Sequence, residues 1–311
     1  MAFKDGVYDI TDFVKKHPGG SDKLMLGAGS NIETFWAFYP FHMKEHVLKL
    51  LESYRIGSLH PDDRVREEDV PKFDSNAQNL HSKNLKVLQN FPFIAETQSK
   101  TLVSSFVTPN SEFFIRAHQA TPTVSNPSKY KVKLFNCMES AKNASSGQDE
   151  EEEPVLKLTI DDLKSKFTPH RVMTAMSCAG NRRLGMKEHS ADVQGNMWYV
   201  GAIGNAQYTG VLLVDLLRGM GLKPEELQGK HLIAESLDVD VQGKPFKVSI
   251  PMEMVVDPLN EVLLAYEMNG VEIPKEHGYP LRLVVPGTVG VRNAKWVKRL
   301  YVSDDEANSI Y

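Results

Sequence analysis

Residues 59–84 hold few apolar side chains and run through Pro61, Asp62, Asp63, Arg64, Glu67, Glu68, Asp69 and Pro71. Such a stretch buries too little apolar surface to offset the entropy of ordering it, so it reads as a flexible linker. That feature obliges the rest of the chain to build two separate cores. The expected division is a small domain over 1–58, a connector over 59–92, a larger domain over 93–303 and a short remnant over 304–311. A chain of 311 residues suits two domains at roughly 150 residues each.

Within 1–58, Val7-Tyr8-Asp9-Ile10 reads as a short strand. Thr11-Asp12 can cap a helix that stops before Pro18. Ser21–Leu26, Asn31–Tyr39 and Lys44–Tyr54 read as further helices, the last with Val47, Leu48, Leu50 and Leu51 on one face. Asp5-Gly6 is a hairpin-turn signal with too little chain before it to pair. Beyond Phe93, short strands (Tyr130–Phe135, His231–Ala234, Arg282–Val285 and Leu300–Val302) are mixed with helices such as Ile160–Lys166 and Val211–Met220. The fold class expected is therefore α+β in both domains rather than a doubly wound parallel sheet.

Composition excludes several roles. The net charge of −4 gives no bulk attraction to nucleic acid, so any anion site must be a local concentration of Arg, Lys and His. No apolar run approaches the ~20 residues that span a bilayer. The first ten residues carry Asp5 and Asp9 and have no targeting character. Two cysteines make no disulfide framework, and Cys137 reads as a small buried hydrophobe. The acidic stretch 143–154 reads as a solvated loop, and its Asn143-Ala144-Ser145 triplet matches a glycosylation sequon.

Two constellations carry chemistry. The first is His17-Pro18-Gly19-Gly20, with His42 lying 25 residues on. Proline ends a helix there and the glycines let the backbone turn closely. Phe35, Trp36, Phe38, Tyr39 and Phe41 precede His42 and can line an apolar cleft. Two imidazoles on opposite walls of such a cleft can clamp a haem iron with nitrogens about 4 Å apart. The second is Ser177-Cys178-Ala179-Gly180-Asn181-Arg182-Arg183. Positive charge beside a thiol favours the thiolate, a ligand for a soft metal that must also hold an oxyanion.

Residues 7–58 resemble the cytochrome b5 family, with His17 and His42 matching its axial ligands to haem b. The likeness is closest to the module fused to sulfite oxidases, on Asp12-Phe13-Val14, Phe35-Trp36-Ala37 and His46-Val47-Leu48. The family module starts upstream of Val7 with a strand and helix, which implies truncation at this end. Residues 93–303 are similar to the sulfite oxidase and nitrate reductase family. The motifs are Phe113–His118, Cys178–Arg183, Gly201–Ala206, Ala265–Gly270, His277–Arg282, Val285–Gly290 and Lys295-Trp296. The haem-first order resembles the animal type. The family continues beyond Val302 into a β-sandwich that mediates dimerisation and adds an arginine to the anion pocket. The resemblance therefore implies that this domain is absent.

The resemblance implies Mo-molybdopterin as cofactor with Cys178 as metal ligand. Arg116 and Arg183 match substrate-site arginines, Tyr266 an active-site tyrosine and Trp198 an aromatic wall. The cofactor residues implied are Phe114, Ile115, Arg116, Ala117, His118, Cys178, Asp238, His277, Arg282, Asn293, Ala294 and Lys295. Ala117 stands where the family usually has Asn, and Tyr208 where it has Trp. The implied activity is oxidation of sulfite to sulfate, with electrons passing through haem b to cytochrome c. Its setting is the mitochondrial intermembrane space, with a homodimer and no nucleic-acid or membrane partner. Two alternatives stand beside it: a cofactor-binding fragment without catalysis, and a nitrate-reductase-like activity.

Overall fold

The computed structural model describes residues 1–18, 20–38, 40–64, 83–90, 92–137, 153–190, 193, 195–240 and 244–307. Most of the expected linker and acidic stretch, the sequon and the side chains of Phe38, Tyr39, Phe41 and Cys137 lie outside the described residues. The chain divides into two compact units, Met1–His81 with Gln89–Pro92 and Ser82–Leu88 with Phe93–Tyr311.

In the first unit, β1 (Ala2–Phe3) and β2 (Gly6–Tyr8) form a hairpin, with Ala2 opposite Val7 and Phe3 opposite Gly6. The sequence reading left the Asp5-Gly6 turn with nothing to pair. A two-residue strand suffices because Phe3 and Tyr8 are buried and anchor both arms, while Lys4 takes the left-handed turn conformation (φ 52°). A 3₁₀ helix over Thr11–Lys16 follows. Its start is fastened from Asp9, whose Oδ1 accepts from Thr11 N at 3.1 Å and Thr11 Oγ1 at 2.6 Å. Then come α1 (Ser21–Met25), α2 (Glu33–Phe38), α3 (Glu45–Glu52) and β3 (Arg55–Ser58), which pairs with β2. Phe3, Tyr8, Ile10, Ile32, Trp36 and Leu51 form the core.

The second unit opens with β4 (Leu85–Gln89), β5 (Ile94–Thr97), α4 (Ser99–Ser104) and β6 (Ile115–Arg116). These three strands make one sheet in chain order. Leu85–Gln89, placed by sequence in the connector, is a strand because Leu85 packs with Ala95 and Ile115. Next are β7 (Val132–Cys137), β8 (Leu156–Leu158), α5 (Ile160–Lys166), β9 (His170–Ser177) and α6 (Arg183–Lys187). They are followed by β10 (Ile203–Leu212), α7 (Leu213–Gly219), β11 (His231–Val239), β12 (Pro245–Pro251) and α8 (Met252–Val256). The last strands are β13 (Leu263–Met268), β14 (Val271–Glu272), β15 (Arg282–Val284) and β16 (Val297–Ser303).

One five-stranded sheet runs β14-β13-β10-β9 with β15 on β13, and another runs β12-β11-β16-β7-β8. Pairing is antiparallel except between β16 and β7, so the α+β expectation holds. The helix read as starting at Val211 starts at Leu213, because Val211 and Leu212 are still paired with Leu264 and Leu263. Strand alternation divides β13 between two cores. Leu263 and Ala265 join Phe113, Trp198 and Tyr208, whereas Leu264 and Tyr266 join the larger core with Leu216, Ile250 and Val297. The register shift opposite Thr209/Gly210 then returns Met268 to the first set.

Gly210 sits at the bulge where β10 meets β13, and a Cβ there would lie 2.2 Å from Leu264 O. Gly210→Ala should destabilise the second unit by about 3 kcal/mol, since the neighbour is backbone and cannot swing away. Chemical denaturation followed by tryptophan fluorescence checks this.

Candidate functional site

The first unit brings His17 and His42 opposite each other. Their ring centroids are 6.2 Å apart and their planes 9° from parallel. Two metal–imidazole bonds of about 2 Å each put the nitrogens ~4 Å apart and the ring centroids ~6 Å apart, so the pair fits a bis-imidazole iron. His17 Nδ1 lies 3.0 Å from Gly20 O. Donation of the Nδ1 proton to that carbonyl leaves the Nε2 lone pair to face a metal. Phe13 stands edge-on to His17 at 5.9 Å, and Trp36 stacks on His42 at 5.0 Å. Haem b fits these residues.

The second unit holds a cleft of about 360 Å³. Phe114, Arg116, His118, Cys178, Arg183, Trp198, Asp238, His277, Arg282, Asn293, Ala294 and Lys295 all line it. Thus twelve positions named from sequence meet in one place, although they come from segments up to 181 residues apart. Met176, on β9, also lines it, two residues before Cys178, so that the strand's alternation carried one step past its end puts both on one side. That parity was the signal that could have found it. Phe246 lines the cleft too and stacks on His118 with centroids 5.9 Å apart. Nothing in its local sequence pointed there.

Three named residues stand elsewhere. Ile115 and Ala117 are buried and are not among the lining residues. Ala117 is used through its backbone, its N–H donating to Phe93 O at 3.2 Å. Tyr266 is a correction: it is buried in the larger core, on the opposite face of β13 from Ala265. Its ring lies under Lys164 Nζ at 5.1 Å, and burial, with Glu267 adding to it, pushes its hydroxyl pKa up. Tyr208, at the other departure from the family pattern, is fully buried, with Arg282 Cζ 5.4 Å from its ring centroid.

Cys178 follows directly on β9 and opens a tight loop. Gly180 N donates to its Sγ at 3.4 Å, and Asn181 N donates to its carbonyl at 2.9 Å. Arg183 folds back between two glycines. A Cβ on Gly180 would meet its Nη1 at 2.8 Å, and one on Gly195 (φ +96°) at 2.7 Å. Its Nη1 donates to Asn196 O at 3.1 Å. On the other wall, Arg116 donates to Ala117 O and, at 3.4 Å, to His118 Nδ1.

The floor is positively charged. Arg282 donates to His277 O at 2.9 Å and Asn293 O at 3.3 Å, and touches Met176 Sδ at 3.0 Å. Its Nε is buried with no partner, as is Asp238 Oδ1. Lys295 donates to Glu276 O at 2.8 Å and Arg116 O at 3.0 Å. Burial, reinforced by Arg282, pushes the Lys295 ammonium down to about 7. Burial also pushes the Asp238 carboxyl up to about 6, against the pull of Lys295. Buried cations held by carbonyls rather than carboxylates are matched to an incoming anion. Orphaned polar atoms beside them await a polar group. A pterin carrying a phosphate and a thiolate-bound metal fits this donor set.

Family models match residues 120–311, as an oxidoreductase molybdopterin binding domain, and residues 1–60, as a cytochrome b5-like heme/steroid binding domain. The chain is 41% identical to a sulfite oxidase of Gallus gallus, over 97% of this chain and 62% of the relative. It is 40% identical to mitochondrial sulfite oxidases of Rattus norvegicus and Homo sapiens, over 97% of this chain and 52% of each relative. The chain thus spans between half and two thirds of the length of these relatives. Among solved structures, the sulfane dehydrogenase SoxCD of Paracoccus pantotrophus matches with a TM-score of 0.55 and 31% identity, over 79% of this chain and 56% of that one.

Lysine in an unfolded chain titrates near 10.4, so between about 7 and that value the unfolded state binds more protons than the folded one. Stability of the cofactor-free chain should therefore rise with pH from about 7 upward, by up to about 1 kcal/mol per pH unit. Asp238 acts only below this window, since its penalty is complete above about pH 6. Urea denaturation at pH 7 and pH 9 should show the rise, and Lys295→Met should flatten it.

Proposed function

The chain belongs to the oxidoreductase molybdopterin-binding family, and on that premise we propose that it oxidises sulfite to sulfate. The observation that carries the reading is one cleft holding a cysteine thiol, two arginines and a floor formed by buried Arg282 and half-buried Lys295. When bound, a molybdenum–pterin group supplies oxygen-atom transfer with two-electron redox chemistry, and haem b carries electrons singly.

Cys178 supplies the thiolate that holds the metal, a soft ligand suited to it. Arg282, Lys295, His277 and the Asn293-Ala294 backbone hold the pterin and its phosphate, with Asp238, Phe114, Arg116 and His118 on its flanks. Arg116 and Arg183 hold the substrate oxyanion. Sulfite is close to a dianion at neutral pH, and guanidinium offers fixed planar donors that keep their charge. Trp198 closes one wall, keeping water out and the arginine field strong. His17 and His42 hold haem b.

The acceptor we propose for the haem electrons is cytochrome c, a one-electron carrier. Pairing of two copies as a homodimer, implied by the resemblance, belongs to the same reading. The compartment is the mitochondrion, which the relatives' names support, and within it the intermembrane space.

Sulfite-dependent ferricyanide reduction tests this, using chain expressed in a host that makes molybdopterin. Cys178→Ser should abolish turnover, and undiminished activity in that variant would sink the reading. Arg183→Gln should lower kcat/KM about 30-fold, the equivalent of one hydrogen-bonded charge at about 2 kcal/mol. His17→Ala and His42→Ala should each lose the haem absorption spectrum while ferricyanide reduction persists, because ferricyanide takes electrons without the haem.

A further inference from the structure

The thiolate–arginine loop holds only part of its shape by itself: the Gly180, Asn181 and Arg183 N–H groups bond within the loop. Three further N–H groups go to a neighbouring stretch, 196–202. Cys178 N donates to Ala202 O at 2.9 Å, Arg182 N to Tyr199 O and Leu184 N to Trp198 O at 3.0 Å. In the reverse direction, Ala202 N donates to Asn181 Oδ1 at 3.2 Å. The Arg183 guanidinium itself rests on Asn196 O. Wherever 196–202 lies, Cys178, Arg183 and Trp198 must follow.

That stretch is held in turn from β5. Thr97 N donates to Gly201 O at 3.0 Å. The approach is close enough that a Cβ on Gly201 would fall 1.9 Å from Thr97 O. Beside it, Glu96 turns a carboxylate that is 3% exposed onto the Tyr199 N–H, with Oε2 accepting at 2.8 Å. Its other oxygen, Oε1, pairs with Lys86 Nζ at 3.0 Å, and the same ammonium lies 4.0 Å from the Tyr199 ring centroid. Both carboxylate oxygens are therefore used, one on the backbone of the stretch and one on a cation that covers its side chain. A charge-assisted bond to a backbone N–H is among the stronger ways to fix a loop.

We propose that Glu96 is the positioning residue of the oxyanion pocket, setting Arg183, Trp198 and the Cys178 loop through the Tyr199 N–H. This rests on the reading of the cleft as an oxyanion site. Glu96 does not line the cleft, so its effect on substrate is indirect, through the placement of Arg183. Glu96→Ala leaves the Tyr199 N–H without an acceptor. In Glu96→Gln the amide oxygen still accepts from Tyr199, and only the attraction to Lys86 is lost.

Amide hydrogen exchange by mass spectrometry on the full chain provides the test, with sulfite kinetics beside it. In Glu96→Ala, peptides covering 178–184 and 196–202 should exchange about 10-fold faster than in the parent, with the rest of the second unit unchanged. Glu96→Gln should stay within about 3-fold of the parent. Sulfite KM should rise about 10-fold in Glu96→Ala with kcat altered less than about 3-fold, the pattern of lost oxyanion positioning rather than lost chemistry. Parental exchange at 178–184 in Glu96→Ala overturns the proposal, as does a uniform rise across the unit or a Glu96→Gln as fast as Glu96→Ala. A parent that shows no sulfite turnover, with the exchange pattern as expected, counts against the reaction and leaves the positioning role of Glu96 standing.

Discussion

Arg282 is buried and Lys295 half-buried beside it in the floor of the cleft, and their hydrogen-bond partners are mostly backbone carbonyl oxygens. Removing a cation from water is costly unless something negative replaces the water. Carbonyl dipoles offset part of that cost and leave the net charge in place. Asp238, the buried acid closest in influence to Lys295, is itself pushed toward its neutral form. The domain therefore folds around a positive field that Asp238 offsets only in part. Many features follow from that arrangement, including the ladder of carbonyls from 276, 277 and 293, the orphaned Nε of Arg282 and the lowered Lys295 ammonium. An anion entering the cleft gains from a cost already met in folding.

The field is built beside a strand, β13, that is buried on both faces. β13 sends Ala265 and Met268 toward the aromatic layer beneath the cleft and Tyr266 toward the larger core. β15 pairs beside it, so Ala265 stands opposite Arg282 in the register. This placement sets Arg282 at the floor with Tyr208 under it. A strand buried on both sides fixes register strongly, because a one-residue slip would exchange the contents of the two cores. Tyr266 faces the larger core, and none of Ala265-Tyr266-Glu267 lines the cleft.

These particulars explain what was legible in the sequence. Cys178, Arg183 and the Asn293-Ala294-Lys295 stretch were readable because each lies in a short segment whose residue types are unusual together. The cleft confirms that they share one location. Tyr266 was misread because motif membership says nothing about which side of a strand a residue faces. Counting by twos from Ala265 would have needed the identity of the core on each side. Phe246 and Glu96 were invisible for a different reason. A phenylalanine in a strand and a glutamate before a threonine are ordinary locally. They gain meaning only through a stack on His118 and a bond to Tyr199 N, formed across 128 and 103 residues of chain. In the small unit, the Asp5-Gly6 turn was legible but the hairpin was not, because two-residue strands have no period to read.

On the proposed reading the two sites differ in how much structure they need, and this follows from the ligands that reading gives them. Holding a macrocyclic iron calls for two imidazoles at one separation and one tilt. A carbonyl on His17 Nδ1 and an indole against His42 go far toward setting both. Such a site can be written in two short segments and read back from them. An oxyanion pocket needs several cations brought together against their mutual repulsion, which no single segment can do. Its parts must come from strands far apart in sequence and be held by backbone groups that carry no residue signature. The supporting residues then fall outside every motif, and Glu96 is an instance. Its polar partners, Tyr199 N and Lys86, are not lining residues of the cleft, yet the stretch it grips carries the wall against which Arg183 is aimed. In a site of this type, the residues that set geometry are found by following the hydrogen bonds outward from the charged groups, not by following the motifs along the chain.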